Sequence, residues 1–240
     1  MKKIKIHKLI GTKKEWLEQF RVAVAMFFAT AIYAFLSHAF AAGYQFNLYE
    51  FLGTWTGLVC VWLSRTENIL CWPWGIASSA ILGFFFMQVG LPGQQWLNWV
   101  YFVLVQIWAW PHWAFGGKEL EELPISRMSV VERSAALFVI ILGTVGIYSL
   151  IDVFVPGSLY PWMDALVVSA SIVAQYLLGR KKVESWILWL GPVNMLSIVL
   201  FFLAGAYTLT ALYVAFFAHA AFALKAWGDI TRINDNKHVS

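Results

Sequence analysis

The residues of this chain most able to do chemistry are aromatic and neutral-polar, with few nucleophiles or acids among them. The stretch Glu184-Ser-Trp-Ile-Leu-Trp-Leu-Gly-Pro-Val-Asn-Met195 sets a carboxylate ahead of Trp186 and Trp189, then Pro192 and Asn194. Asn98, Tyr101 and Gln106 recur on another apolar segment, and Gln88, Gln175, Thr54 and Thr56 lie in or near others. Flat π-faces with neutral hydrogen-bonding groups suit a planar or sugar-like solute that is uncharged or singly cationic. A cation over a Trp face gains roughly 0.5–2 kcal/mol. Covalent catalysis has no support: there is no G-x-S-x-G elbow, no H-E-x-x-H, no P-loop and no carboxylate pair within an apolar run. The chain is therefore read as a non-enzyme. Cys60, Cys71 and the five histidines lack metal-ligand spacing, so no metal and no cofactor is expected.

These residues must be positioned by membrane helices. Hydrophobic residues make up 60% of the 240 and charged ones 12%, against about a quarter charged in an ordinary soluble domain. The apolar residues fall in runs near the roughly 20 residues a helix needs to cross a bilayer. Spans are expected at 21–40, 48–64, 69–89, 94–113, 133–153, 158–178, 183–203 and 205–227, which makes eight transmembrane helices. The runs lack the alternation of a barrel wall, so an all-α polytopic membrane protein is expected. Ala39-Phe40-Ala41 after a basic start resembles a signal cleavage site, but the run is long for a signal core and is read as a retained helix.

All 17 Lys and Arg fall on alternate sides of these spans, in the segments that share a side with both termini. The other loops (AAGYQFN, GLPGQQ, FVPGS and AGAY) contain none. By the positive-inside rule both termini are cytoplasmic. The net charge of +4 is then a topology signal and gives no reason to expect nucleic acid.

An internal repeat is visible. At an offset of 117, Glu67 meets Glu184 and Trp72 meets Trp189; at 114, Val100, Ala109 and Trp113 meet Val214, Ala223 and Trp227. The organisation read from this is a basic N-terminus with an extra helix (1–44) and a first three-helix unit (45–113). A loop and linker helix (114–157), a second three-helix unit (158–228) and a tail (229–240) follow. A linker helix between three-helix units makes the repeat parallel, as in SWEET-type carriers.

Within this frame, Glu67 and Glu184 each open a helix and stabilise its positive dipole end. Trp186, Trp96, Trp110 and Trp113 lie near helix ends and are read as interface anchors. Trp189, repeated as Trp72, sits a turn deeper. Pro192 should bend its helix, with Pro73 as the same device in the first copy. Asn194 is deep enough that an unpaired amide would be expensive, and is read as a binding residue. For Asn98, Tyr101 and Gln106 a binding role and plain helix–helix bonding both stand. Asp164 and His219 form no carboxylate–histidine relay, which favours uncoupled, downhill movement.

Glu67-Asn-Ile-Leu-Cys-Trp-Pro-Trp-Gly75, Glu184-Ser-Trp-Ile-Leu-Trp189, Asn98-x-x-Tyr101, Trp113, Leu-Tyr213 and Trp227 together resemble the PnuC family of bacterial vitamin transporters over residues 45–228. Ser185 and Asn98 depart from that pattern, where Asn and Gln are usual. The resemblance implies a seven-helix SWEET-like core (3+1+3), a homotrimer in the bacterial inner membrane, and facilitated diffusion of nicotinamide riboside trapped by a cytosolic kinase. Carried over by residue, it implies ligand binding by Asn98, Tyr101, Gln106, Trp72, Trp189, Asn194 and Tyr213, and a gate at Trp186, Glu67 and Glu184. The ligand is expected mid-membrane between units that open alternately on each side. Thiamine, riboflavin or a sugar is the same-class alternative, and a non-transporting scaffold subunit the different-class one. A phosphorylated ligand is disfavoured because the spans hold no Lys or Arg away from their cytoplasmic ends, where Arg21, Arg133 and Lys225 lie.

Overall fold

The computed structural model describes residues 7–40, 45–88, 95–154, 160–203 and 207–239. Most of the four basic-free loops lies outside them. Among the described residues the chain is helical with no β-strand, and one isolated bridge joins Ser126 to Lys182. It divides into two compact units, residues 1–123 and 124–240.

In the first unit a single helical turn, α1 (His7–Ile10), precedes α2 (Lys13–Phe40), α3 (Leu48–Arg65) and α4 (Cys71–Gln88). Helix α5 begins as a π-helical turn, Leu97–Phe102, and continues as an α-helix, Val103–Phe115. In the second unit α6 (Val130–Phe154) and α7 (Pro161–Gly179) precede the broken helix α8. That helix is α-helical over Glu184–Leu188, π-helical over Trp189–Met195 and α-helical again over Leu196–Leu203. Helix α9 is Tyr207–Val239. Among the described residues, three stretches are by themselves long and apolar enough to cross a membrane: Lys8–Ala39, Val130–Phe154 and Pro161–Gly179. The others are shorter or carry more Trp, Ser and Gly.

Both α2 and α9 run past the expected spans into charged sequence, since neither contains a proline to stop it. Helix α2 starts with a capping box. Glu15 Oε2 accepts from the Thr12 backbone N–H at 2.7 Å, and the Thr12 hydroxyl oxygen accepts from the Glu15 N–H at 3.3 Å. Helix α6 starts identically, with Ser129 and Glu132 exchanging bonds of 2.8 and 3.2 Å.

The helices pack closely because small side chains and backbone carbonyls meet. In the first unit Ser78 Oγ donates to the Gly53 carbonyl at 2.8 Å, and the Trp55 indole N–H to that of Ala23 at 2.8 Å. In the second, Ser169 Oγ donates to the Ile140 carbonyl at 2.9 Å, and Val167, Ala170 and Val193 form a buried seam with Trp189 and Leu196 against it. Small-residue contact is how helices associate where lipid is as apolar as leucine.

At the start of α8, Glu184 is buried and uses both carboxylate oxygens. Oε2 accepts from the Met128 N–H and Oε1 from Arg133 Nη2, each at 2.9 Å. Replacing Glu184 by Ala strands the buried Met128 N–H and should destabilise the protein by about 1–3 kcal/mol. Arg133→Gln, whose side chain is 55% exposed, should cost no more than about 1 kcal/mol. Thermal unfolding in detergent separates the two.

Candidate ligand site

The paired motifs are built on two identical turns. Helix α3 ends with Glu67 in the left-handed region (φ 57°), Glu67 N–H donating to the Ser64 carbonyl at 3.3 Å and Asn68 N–H to that of Leu63 at 3.0 Å. Helix α7 ends the same way with Lys181 (φ 48°), bonded to Leu178 at 2.9 Å, and Lys182 bonded to Leu177 at 3.0 Å. Both are Schellman motifs, here without the glycine that usually occupies the left-handed position. The next bonds also match: Cys71 to Asn68 and Trp72 to Ile69, then Ser185 to Lys182 and Trp186 to Val183. Every one of these correspondences is 114 residues apart.

This register corrects the one drawn by residue type. Trp72 corresponds to Trp186, and Trp189 has no tryptophan counterpart. Glu67 corresponds to Lys181 and lies in the turn, four residues before α4, so it does not cap that helix; Glu184 does open α8. Pro73 also parts from Pro192. It falls in the first turn of α4, where its missing N–H would have had no partner, and α4 continues unbroken. Pro192 falls mid-helix, and the ladder there shifts to π spacing.

Each corresponding tryptophan packs on another. The Trp72 and Trp113 rings meet edge to face at 4.9 Å and 85°, those of Trp186 and Trp227 at 5.5 Å and 89°. All four are 1% exposed or less, so Trp113 and Trp186 are not the interface anchors their positions suggested. Trp96, at 62%, is exposed as an anchor would be. The indole N–H groups of Trp72 and Trp186, and Ser185 Oγ, are buried without a hydrogen-bond partner among the described residues. A buried unpaired donor costs about 1–3 kcal/mol, which sets these groups apart from the bonded indoles of Trp55, Trp74 and Trp99.

The two π-helical turns hold most of the remaining candidates. Asn98 and Tyr101 lie in the first and Trp189 and Asn194 in the second, with both asparagines buried and Trp189 and Tyr101 half-buried. π-turns leave the regular bonding ladder and recur at functional sites. Gln106, one turn beyond, is committed to its own unit: Nε2 donates to Ser79 Oγ and to the Phe102 carbonyl, both at 2.9 Å. Half-buried Tyr213 on α9 hydrogen-bonds to Ser197 and packs edge to face on Phe216 at 5.8 Å. Among the described residues no group of three His, Cys, Asp or Glu could hold a metal.

The first unit thus gathers Trp72, Asn98, Tyr101 and Gln106 on α4 and α5, and the second Trp186, Trp189, Asn194 and Tyr213 on α8 and α9. Trp113 and Trp227 were not read as site residues. Their shared offset of 114 with Trp72 and Trp186 was the sequence signal for these two ring pairs.

A family model described as nicotinamide mononucleotide transporter matches residues 47–229. The chain belongs to that family. It is a multi-pass membrane transporter and not an enzyme. The nicotinamide riboside transporter PnuC of Escherichia coli K12 is 26% identical over 225 residues, covering 83% of this chain and 93% of the relative. A riboflavin/roseoflavin transporter, RibM of Streptomyces davaonensis, is 26% identical over 182 residues, covering 74% and 83%. The fold matches a crystal structure of the vitamin B3 transporter PnuC with a TM-score of 0.69 at 21% identity, over 92% of this chain and 99% of that one. The family match begins at residue 47, so α2 lies outside it.

Gly75 on α4 faces the side chains of Gln106 and Cys60. A Cβ there would overlap Gln106 Oε1, whereas one at Gly191 would meet nothing within 4 Å. Gly75→Ala should therefore displace Gln106 and destabilise by about 1–3 kcal/mol. Gly191→Ala should not lower the melting temperature of the purified transporter.

Proposed function

We propose that this transporter carries nicotinamide riboside into the cell by uncoupled facilitated diffusion. It opens alternately to each side of the bacterial inner membrane, and a cytosolic kinase traps the solute. The observation that carries this reading is the pair of buried asparagines, Asn98 and Asn194, each within a π-helical turn beside half-buried aromatics. Amides there can bond the carboxamide and ribose while Tyr101 and Trp189 receive the ring. The unused indole N–H groups of Trp72 and Trp186 add two further donors. Trp186, Glu67 and Glu184 remain the gate in this reading, Glu184 by holding the start of α8 in place.

The riboside is favoured over the mononucleotide that the family description names. No Lys or Arg lies between residues 22 and 64, 66 and 117, 134 and 179, or 183 and 224. Lys182 of the second turn, buried, is 3.1 Å from Glu132. A phosphate dianion entering the spans would thus lack a cationic partner and would have to be desolvated uncompensated. Riboflavin is the second reading, because a flavin transporter shares the same 26% identity as the Escherichia coli riboside transporter, over 182 residues against 225. Eight transmembrane helices in a 3+1+3 core plus α2, cytoplasmic termini and a homotrimer complete the proposal. The matching capping boxes of α2 and α6 support α2 as the linker helix's counterpart.

A thermal-shift screen should show stabilisation by nicotinamide riboside and none by the mononucleotide, thiamine or glucose; a larger shift with riboflavin would transfer the assignment to flavins. Asn194→Ala should lower riboside uptake at least tenfold with less than about 2 kcal/mol lost in stability, the scale of one buried hydrogen bond. A scaffold subunit would lose stability and show no specific uptake to lose. With equal riboside on both sides of a vesicle, an imposed pH gradient should drive no net uptake.

A further inference from the structure

The first unit carries an apolar groove of about 390 Å³, walled by α2, α3 and α4, which plays no part in the transport reading. Its wall is Phe20, Val24, Phe27, Phe28, Trp55 and Trp74, with Gln19 and Ala23 at the base. The shape is held by its own rings: Phe27 meets Trp55 edge to face at 5.5 Å, and Trp55 meets Trp74 at 5.5 Å. Both indole donors are already used, Trp55 on the Ala23 carbonyl and Trp74 on Gln19 Oε1, each at 2.8 Å. The indoles therefore offer no free hydrogen bond to a vitamin or sugar, the Gln19 amide is the one polar side chain of the lining, and the rest of the wall suits a hydrocarbon chain.

The charge beside it points to the kind of lipid. Lys13 lies seven residues before Phe20 and so on the same face of α2, and Arg21 follows Phe20 directly; both are exposed. Neither has an ion-pair partner among the described residues. The nearby acids of α2 are engaged elsewhere: Glu15 caps α2 and accepts from the Ile69 N–H, and Glu18 accepts from Asn68. The groove thus ends beneath an uncompensated positive pair. From Gln19 to Phe28 it extends nine residues, about 14 Å at 1.5 Å per residue. That is close to half of the roughly 30 Å hydrocarbon core, the depth of a single leaflet. A second copy of the chain fits less well, because close helix contact in a bilayer favours small residues and this face presents exposed phenylalanines at 20 and 28.

We infer that this groove binds one acyl chain of an anionic phospholipid whose phosphate is held by Lys13 and Arg21. The proposal is independent of which solute is carried. It is tested by native mass spectrometry of the purified full-length protein titrated with phosphatidylglycerol or phosphatidylcholine. The wild type should retain phosphatidylglycerol at concentrations at least tenfold lower than phosphatidylcholine. Lys13→Gln with Arg21→Gln should bring the two within twofold, while Val24→Trp, which fills the groove, should weaken both at least tenfold. A phosphatidylglycerol bearing a photoactivatable acyl chain should label residues 19–28 of the wild type, a readout that holds even where Val24→Trp does not fold. Equal retention of both lipids by the wild type, unchanged retention by Val24→Trp, or labelling elsewhere would overturn the proposal. So would a Val24→Trp protein that changes its oligomeric mass and keeps its lipid, since a second copy would then be the occupant.

Discussion

A polar group buried in a bilayer has no water to return to, and this constraint accounts for most of what holds each unit together. The chain meets it with short side-chain donors aimed at backbone carbonyls of a neighbouring helix. Ser78 reaches Gly53, Ser169 reaches Ile140, and the indoles of Trp55 and Trp99 reach Ala23 and Ala80. Such bonds require helices in close contact, which is why glycine stands at 53 and 83, where a Cβ would strike Leu82 and Trp99. Against this thrift, buried donors left unbonded at Trp72 and Trp186 are exceptions, and they occur at equivalent places in the two units.

The equivalence itself follows from backbone geometry. A Schellman turn fixes which residue is left-handed, which N–H returns to which carbonyl, and where the next helix can begin. Once α3 and α7 end alike, the tryptophan eight residues beyond the carbonyl-bearing Ser64 and Leu178 must occupy the same place in both units. What differs is how the turns are tied down. In the first unit Asn68 donates to the Glu15 carbonyl and to Glu18, and Glu15 accepts from Ile69. In the second, Lys182 meets Glu132 while Ser126 bonds on both sides of it, to Lys181 and Val183. The same job at the start of α2 and α6 is thus done by amide chemistry in one unit and by charge and a β-bridge in the other.

The candidate residues were legible because helical period and membrane composition make polar groups in apolar runs conspicuous. Asn98, Tyr101 and Asn194 stood out as amides and phenols in apolar runs, and the structure places them in π-turns. Pro192 announced its own break. The errors came from reading residue type as position. Matching Glu67 with Glu184 required a three-residue insertion that the structure does not contain. Reading a tryptophan near a helix end as an anchor missed that Trp113 and Trp186 turn inward onto ring partners distant in sequence.

By itself, the amino-acid sequence determined that this is an all-helical membrane protein, because apolar run length and missing alternation are local properties of the chain. It also supplied the aromatic and amide candidates for the site, since those residue types are visible in the apolar runs themselves. Only the tertiary structure decided the repeat's register, the tryptophan pairings and the fate of Glu67 and Glu184. Those depend on which carbonyl a turn's N–H reaches and on which ring lies within 5 or 6 Å across a helix interface. No local pattern encodes such contacts, because their partners lie some 40 residues apart (Trp72 with Trp113, Trp186 with Trp227) and meet only when the helices pack.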